Sequence, residues 1–218
     1  MEVTLLHNSP LEVVIKAIRK CYASEGKSDS GKSFRGHDDS FKDAKWELGP
    51  KDKALIRHII KSDHTSTLEH LTFSFDIDGL SRAALQELAR HRHASLSVKS
   101  TRYTLKEIRE SEDLEPFLVD TGDVDLDGLS YAQLCDLQAL LKVKDVPNDR
   151  AKYPLPESFK TSLIWTINAR SLRNFLKLRS SKGALWEMRD LAEEVFKLIP
   201  NDMKFVFEDY VEGVTDDN

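Results

Sequence analysis

Cysteine is nearly absent from this chain: Cys21 and Cys135 are the only two in 218 residues. Two thiols so far apart cannot form a Cys-x-x-Cys metal cluster, and a reduced, cytoplasmic setting is expected. No apolar run approaches the roughly 18 residues that span a bilayer, so no membrane partner is expected. The opening "MEVTLLHNSPLEVV" has Glu2 where a signal peptide carries basic residues, and no long apolar stretch follows. No G-x-G-x-x-G occurs, so a dinucleotide bound here is not bound in the Rossmann manner. Internal repeats and sharp changes of composition are also missing, and a single domain over 1–218 is expected. The formal net charge is -5 and the pI about 5.8, which argues against a nucleic-acid partner.

The patterning that is present reads as α+β, mixed helices around a small, mostly antiparallel sheet. "MEVTLLH" reads as a short strand and "PLEVVIKAIRKCY" as a helix with Pro10 near its first turn. Residues 24–50 and 111–128 are polar and read as loops, the first long enough to be functional. "KDKALIRHIIKS" has helical spacing. In "LTFSFDID", Leu71, Phe73, Phe75 and Ile77 alternate with polar residues, a half-buried strand ended by Gly79. Ser81 is placed to cap the helix that follows, and "SLSVKS" reads as a short extended segment. A helix over about 129–143 packs Cys135. "ESFKTSLIWTINARSLRNFLKLRS" is read as one helix or a broken pair, and "ALWEMRDLAEEVFKLI" as a helix stopped by Pro200.

Two windows stand out against the acidic background. Arg90 to Lys106 contains Arg90, Arg92, Lys99, Arg102 and Lys106 without one acid; Asn168 to Gly183 contains Arg170, Arg173, Lys177, Arg179 and Lys182 likewise. Clustered guanidiniums repel one another, a cost tolerable on a solvated face but notable where apolar residues are interleaved. Arginine matches phosphate bidentately, so the windows are expected to converge on phosphorylated ligands. Arg90 and Arg92 do not share a helix face, so one of them is expected to point into the packing at the helix end. Ser95, Ser97, Ser100 and Thr101 add small donors suited to an anion. The bland alternative is two solvated faces; a nucleic-acid-binding module is the rival, though only Tyr103 and Phe175 offer stacking surfaces.

Other chemistry fits less well. His64 and His70 lack the i, i+4 spacing that binds zinc on a helix, so no metal is expected. Glu69 is expected to orient a neighbouring Arg or His. Ser100 as a nucleophile would need a base and an orienting acid, and no G-x-S-x-G elbow surrounds it.

Arg90, His91 and Arg92, followed by seven residues and then Ser100, resemble the signature of the flavin-dependent thymidylate synthases. "HTSTLEHLTFSF", the Ser100, Arg102, Tyr103 group, "NARSLRNFLKLRS" and "ALWEMR" extend the resemblance over roughly 10–208. It implies FAD contacts from Ser66, Arg90, His91, Arg92, Asn168, Arg170 and Asn174. It implies a dUMP site of Glu87, Arg90, Val98, Lys99, Ser100, Thr101, Arg102, Lys152 and Arg179. It also implies NADPH and 5,10-methylenetetrahydrofolate as co-substrates, and a homotetramer whose sites draw on several subunits. Flavin-independent thymidylate synthases activate uracil with a thiolate that follows a proline. Neither Cys21 nor Cys135 follows one, and Arg179 would instead polarise the ring. A flavoprotein that binds nucleotide without methylating it remains the alternative.

The chain departs from the family pattern in places. Ser97 and Val98 replace polar side chains, leaving only backbone contacts at Val98. Glu87 stands where glutamine is common, and an anion beside phosphate is unfavourable unless an arginine pairs with it. Lys152 replaces the usual arginine and loses its fork. Cys21 falls near a serine of many relatives.

Overall fold

A computed structural model describes residues 1–32 and 46–208. Four strands, β1 (Glu2–Asn8), β4 (Thr72–Ser81), β5 (Ala94–Val98) and β6 (Lys160–Asn168), form a sheet in the order β1-β4-β6-β5. Every neighbouring pair is antiparallel. A separate two-residue ladder joins β2 (Gly31–Lys32) to β3 (Trp46–Glu47). The helices are α1 (Leu11–Cys21), α2 (Pro50–Lys61), α3 (Arg82–Leu88), α4 (Thr101–Glu110), α5 (Val124–Val143), α6 (Asn148–Ala151), α7 (Ala169–Arg179) and α8 (Trp186–Leu198). The α+β reading with an antiparallel sheet is therefore correct.

Alternation decides which side of the sheet is buried. Phe73, Phe75 and Ile77 of β4 are fully covered, as are Trp165 and, nearly so, Thr161, Leu163 and Ile167 of β6. Phe75 lies directly opposite Trp165 in the register, with ring centroids 5.8 Å apart. The inward face packs on Leu172, Phe175 and Leu176 of α7, Met188, Leu191 and Val195 of α8, and Val14, Ile15 and Ile18 of α1. A second cluster joins Leu105 and Ile108 of α4, Leu134, Leu137 and Leu141 of α5, and Phe159.

Three expectations need correction. Residues 160–168 are a strand, not part of a helix; the inward series Thr161, Leu163, Trp165, Ile167 has period two, but half-covered Ile164 on the other face blurs it. Gly79 does not end β4. The strand continues to Ser81 through a bulge between Asp78 and Leu80, where Gly79 takes φ 80°, a backbone state a side chain would strain. The second acidic stretch is a loop only to Asp123, because that side chain accepts from the amides of Asp125 and Leu126 and starts α5 early. Cys135 is only half-buried, against the second cluster.

The first long loop is tied down on both flanks. Ser28 and Ser30 donate to Asp52 Oδ2, both at 2.6 Å, while Asp29 accepts from the amides of Lys51 and Asp52 at the start of α2. Asp52 is fully buried and paired with Arg19 at 2.5 Å. The central part of that loop, 33–45, lies outside the described residues.

Candidate active site

The turn after α3, the end of β6 and helix α7 enclose a cavity of about 1230 Å³, larger than the roughly 300–1,000 Å³ of pockets for drug-sized ligands. One wall is the turn after α3, which carries Arg90, His91, Arg92 and His93; another is α7 with the segment after it. On α7, Leu172, Phe175 and Leu176 face the core. Arg170, Asn174 and Lys177 recur at helical spacing on the opposite, cavity-lining side, and Ser181 lines the cavity from just beyond the helix. Asn168 starts the helix: its side chain accepts from the Ser171 amide at 2.9 Å, and the Ala169 amide reaches Leu71 C=O at 2.7 Å.

Charge in the cavity is unbalanced towards the positive. Arg90, Arg92, Arg170, Arg173, Lys177 and Arg179 face three carboxylates, Asp63, Glu69 and Glu87. Arg170 donates to Glu69 at 2.7 Å, so Glu69 orients an arginine as expected. Arg173 is buried, and donates to the Val206 carbonyl. Arg90, Arg92 and Lys177 are exposed to the cavity solvent.

Arg179, the last residue of α7, reaches back across the cavity. Its Nε donates to His91 Nε2 at 3.0 Å, its Nη2 to the Glu87 carbonyl at 3.3 Å, and its Nη1 lies 2.8 Å from Glu87 Oε2. His91 is 8% exposed and sits edge-on against Phe175, centroids 5.1 Å apart. Phe175 in turn meets Trp165 at 4.9 Å, so the aromatic core fixes the imidazole. Burial, with the Arg179 charge adding to it and Glu87 opposing, pushes His91 from 6.5 down to about 4. The expectation that one of Arg90 and Arg92 packs inward is wrong: α3 stops at Leu88, both arginines are exposed, and the residue between them is the buried one.

Of the residues expected to hold FAD, Arg90, His91, Arg92, Asn168, Arg170 and Asn174 line this one cavity. Ser66 lies exposed in the 3-10 turn Thr65–His70 and is not part of the lining, although Thr65 is. Of the dUMP set only Glu87, Arg90 and Arg179 are present. Val98, Lys99, Ser100, Thr101, Arg102 and Lys152 form a second group. Ser100 precedes α4 as its N-cap, and the Asn148 side chain of α6 donates to the Arg102 carbonyl at 2.9 Å. That bond ties the α4 start to the helix whose C-cap is Lys152. Ser95 and Ser97 are on strand β5, within the segment read as extended, and are not among the cavity-lining residues. The basic windows converge only in part.

Sequence reasoning did not assign Asp63, Thr65, Ser171 or Ser181 to the site and placed Lys177 only in a basic window, yet all five line the cavity. For Ser171 and Lys177 a signal was available in the helical face they share with Arg170 and Asn174.

Comparison with known proteins gives this arrangement its relatives. The family model described as "Thymidylate synthase complementing protein" matches residues 4–203. Proteins named flavin-dependent thymidylate synthase are 48% identical in Campylobacter jejuni, covering 95% of this chain and 96% of that one. In Helicobacter pylori the identity is 45%, covering 96% and 98%. A crystal structure of thymidylate synthase X from Helicobacter pylori with FAD and dUMP superimposes with a TM-score of 0.83 at 44% identity, covering 97% of this chain and all of that one. This chain belongs to the thymidylate synthase complementing protein family.

Proposed function

We propose that the cavity between α3 and α7 is where this flavin-dependent thymidylate synthase converts dUMP to dTMP, with Arg179 as the group that activates uracil. The chain is an FAD enzyme of nucleotide biosynthesis, and a cationic cavity of about 1230 Å³ with carboxamides at Asn168 and Asn174 suits a dinucleotide. Arg90, Arg92 and Arg170 offer donors for its phosphates, and the neutral His91 ring offers a flat, partly apolar edge. Ser66 follows Thr65, which lines the cavity, and would reach the cofactor from outside the cavity wall. When bound, FAD supplies the hydride, drawn from NADPH, that completes the new methyl group.

Arg179 carries the reading. A fixed guanidinium in a cavity wall stabilises negative charge at the N3/O2 edge of uracil, which makes C5 electron-rich towards the one-carbon unit of 5,10-methylenetetrahydrofolate. Neither cysteine lines the cavity, in keeping with activation by charge instead of a thiolate adduct.

Glu87 and Arg90 belong to the Arg179 side of the dUMP site. Lys99, Ser100, Thr101, Arg102 and the Val98 backbone, with Lys152, form the phosphate side and come from a neighbouring subunit of a homotetramer. Three features support that division. The second group gathers at the N-terminus of α4, a favourable place for a phosphate. Tyr103 and Tyr153 beside it are 76% and 81% exposed. Helix α5 leaves Leu126, Leu129, Leu140 and Val143 exposed beside its buried face, apolar surface that a second subunit would cover. A nucleic-acid reading is disfavoured, because Lys99 pairs with Glu107 at 3.1 Å and Lys106 with Glu110 at 4.0 Å, which breaks up the basic stripe.

Tritium release from C5-labelled dUMP, with NADPH and methylenetetrahydrofolate, tests the reading. Purified protein is expected to show a flavin spectrum that NADPH bleaches anaerobically and to release the label. A flavin spectrum without release would leave a nucleotide-binding flavoprotein in its place.

A further inference from the structure

Arg179 is held before any ligand arrives. Its guanidinium has five N–H groups: Nε and Nη2 donate to His91 and to the Glu87 carbonyl, and Nη1 forms an ion pair with the Glu87 carboxylate. The guanidinium also has room to leave. Glu87 and Arg179 line a second hollow of about 500 Å³ as well as the main cavity, so without restraint the side chain could turn to either side.

Resting on the assignment of Arg179 to uracil activation, we propose that Glu87 is a positioning residue, which with His91 clamps the Arg179 guanidinium in its working orientation. The carboxylate, on the last turn of α3, grips from one side, while the imidazole grips Nε from another. The N–H groups not taken up within the wall are those offered to the uracil edge. This answers the difficulty of an acidic residue at a phosphate-binding site, because the Glu87 charge is spent on Arg179 within the wall.

The clamp also fixes the state of His91. Arginine only donates, so His91 Nε2 must carry a lone pair and the ring proton must sit on Nδ1. A protonated ring would set donor against donor. The low basicity of the buried ring keeps it neutral at ordinary pH.

Glu87→Ala and Glu87→Gln separate positioning from charge. Both remove the negative charge, but only glutamine keeps an acceptor for Nη1. With FAD content matched by absorbance, Glu87→Gln is expected to turn over at least tenfold faster than Glu87→Ala and to bind dUMP several-fold more tightly in an equilibrium titration. Equal kcat and equal dUMP affinity in the two variants would overturn the clamp. If the wild-type protein releases no tritium from labelled dUMP, the assigned reaction fails on its own, and the titration of the two variants still decides the clamp.

Discussion

Arg179→Ala should abolish dTMP formation while FAD stays bound, because the residues proposed to hold FAD, Arg90, Arg92, Asn168, Arg170 and Asn174, line the cavity independently of it. Normal turnover by that variant, measured as tritium release, would remove Arg179 from ring activation. His91 gives a second prediction with a definite sign. Its folded pKa is lowered to about 4 from 6.5, so between these values the unfolded chain binds a proton that the folded chain refuses. Stability is therefore complete above about pH 6.5 and declines as pH falls towards 4. Between pH 7 and pH 5 the loss attributable to this group is about 2 kcal/mol. His91→Gln, which keeps an acceptor for Arg179 without titrating, should remove that part of the slope in urea unfolding. An unchanged slope would mean that another group carries the acid sensitivity.

At the scale of elements, the clearest prediction concerns the anchor of the first long loop. Asp52→Ala leaves the buried Arg19 guanidinium without its carboxylate and frees Ser28 and Ser30 together. A loss of about 3–5 kcal/mol is expected, as for other broken buried pairs. Replacing both partners, Arg19→Met with Asp52→Leu, should recover much of it in thermal denaturation. The anchor also shows what a sequence can and cannot disclose. Local signals were readable: the alternation of Leu71 to Ile77, the Ser81 cap, which accepts from the Ala84 amide at 2.9 Å, and the apolar stripe of α8 with Pro200 after it. Strand β6 was not, because Ile164 sits among inward-facing Leu163, Trp165 and Ile167, and a short apolar run has no single period. The cavity side of the site was legible through charge without acid and through the family signature. The long-range contacts were not legible, since Arg179 meets Glu87 across 92 positions of sequence in the cavity wall and Arg19 meets Asp52 across 33 at the loop anchor. No local pattern encodes such partners; they follow from how helices land on the sheet.

At the scale of the whole molecule, the division of the dUMP residues makes a prediction that no single chain can satisfy. Arg179 lines the cavity, whereas Arg102 stands exposed at the start of α4 with Lys152 nearby. If each active site takes its cavity from one subunit and its phosphate side from another, Arg179→Ala and Arg102→Ala damage different halves. Each variant alone should be inactive or nearly so. In a mixed assembly, a site that draws its cavity from the Arg102→Ala chain and its phosphate side from the Arg179→Ala chain is intact. Random mixing makes about a quarter of the sites of this kind. Co-expression with two different tags, followed by purification through both, should return activity near that fraction of wild type. Doubly tagged protein with its full flavin content but no turnover would show that both halves of the site belong to one chain, and that the surface around Ser100 and Arg102 serves something other than a neighbour's nucleotide.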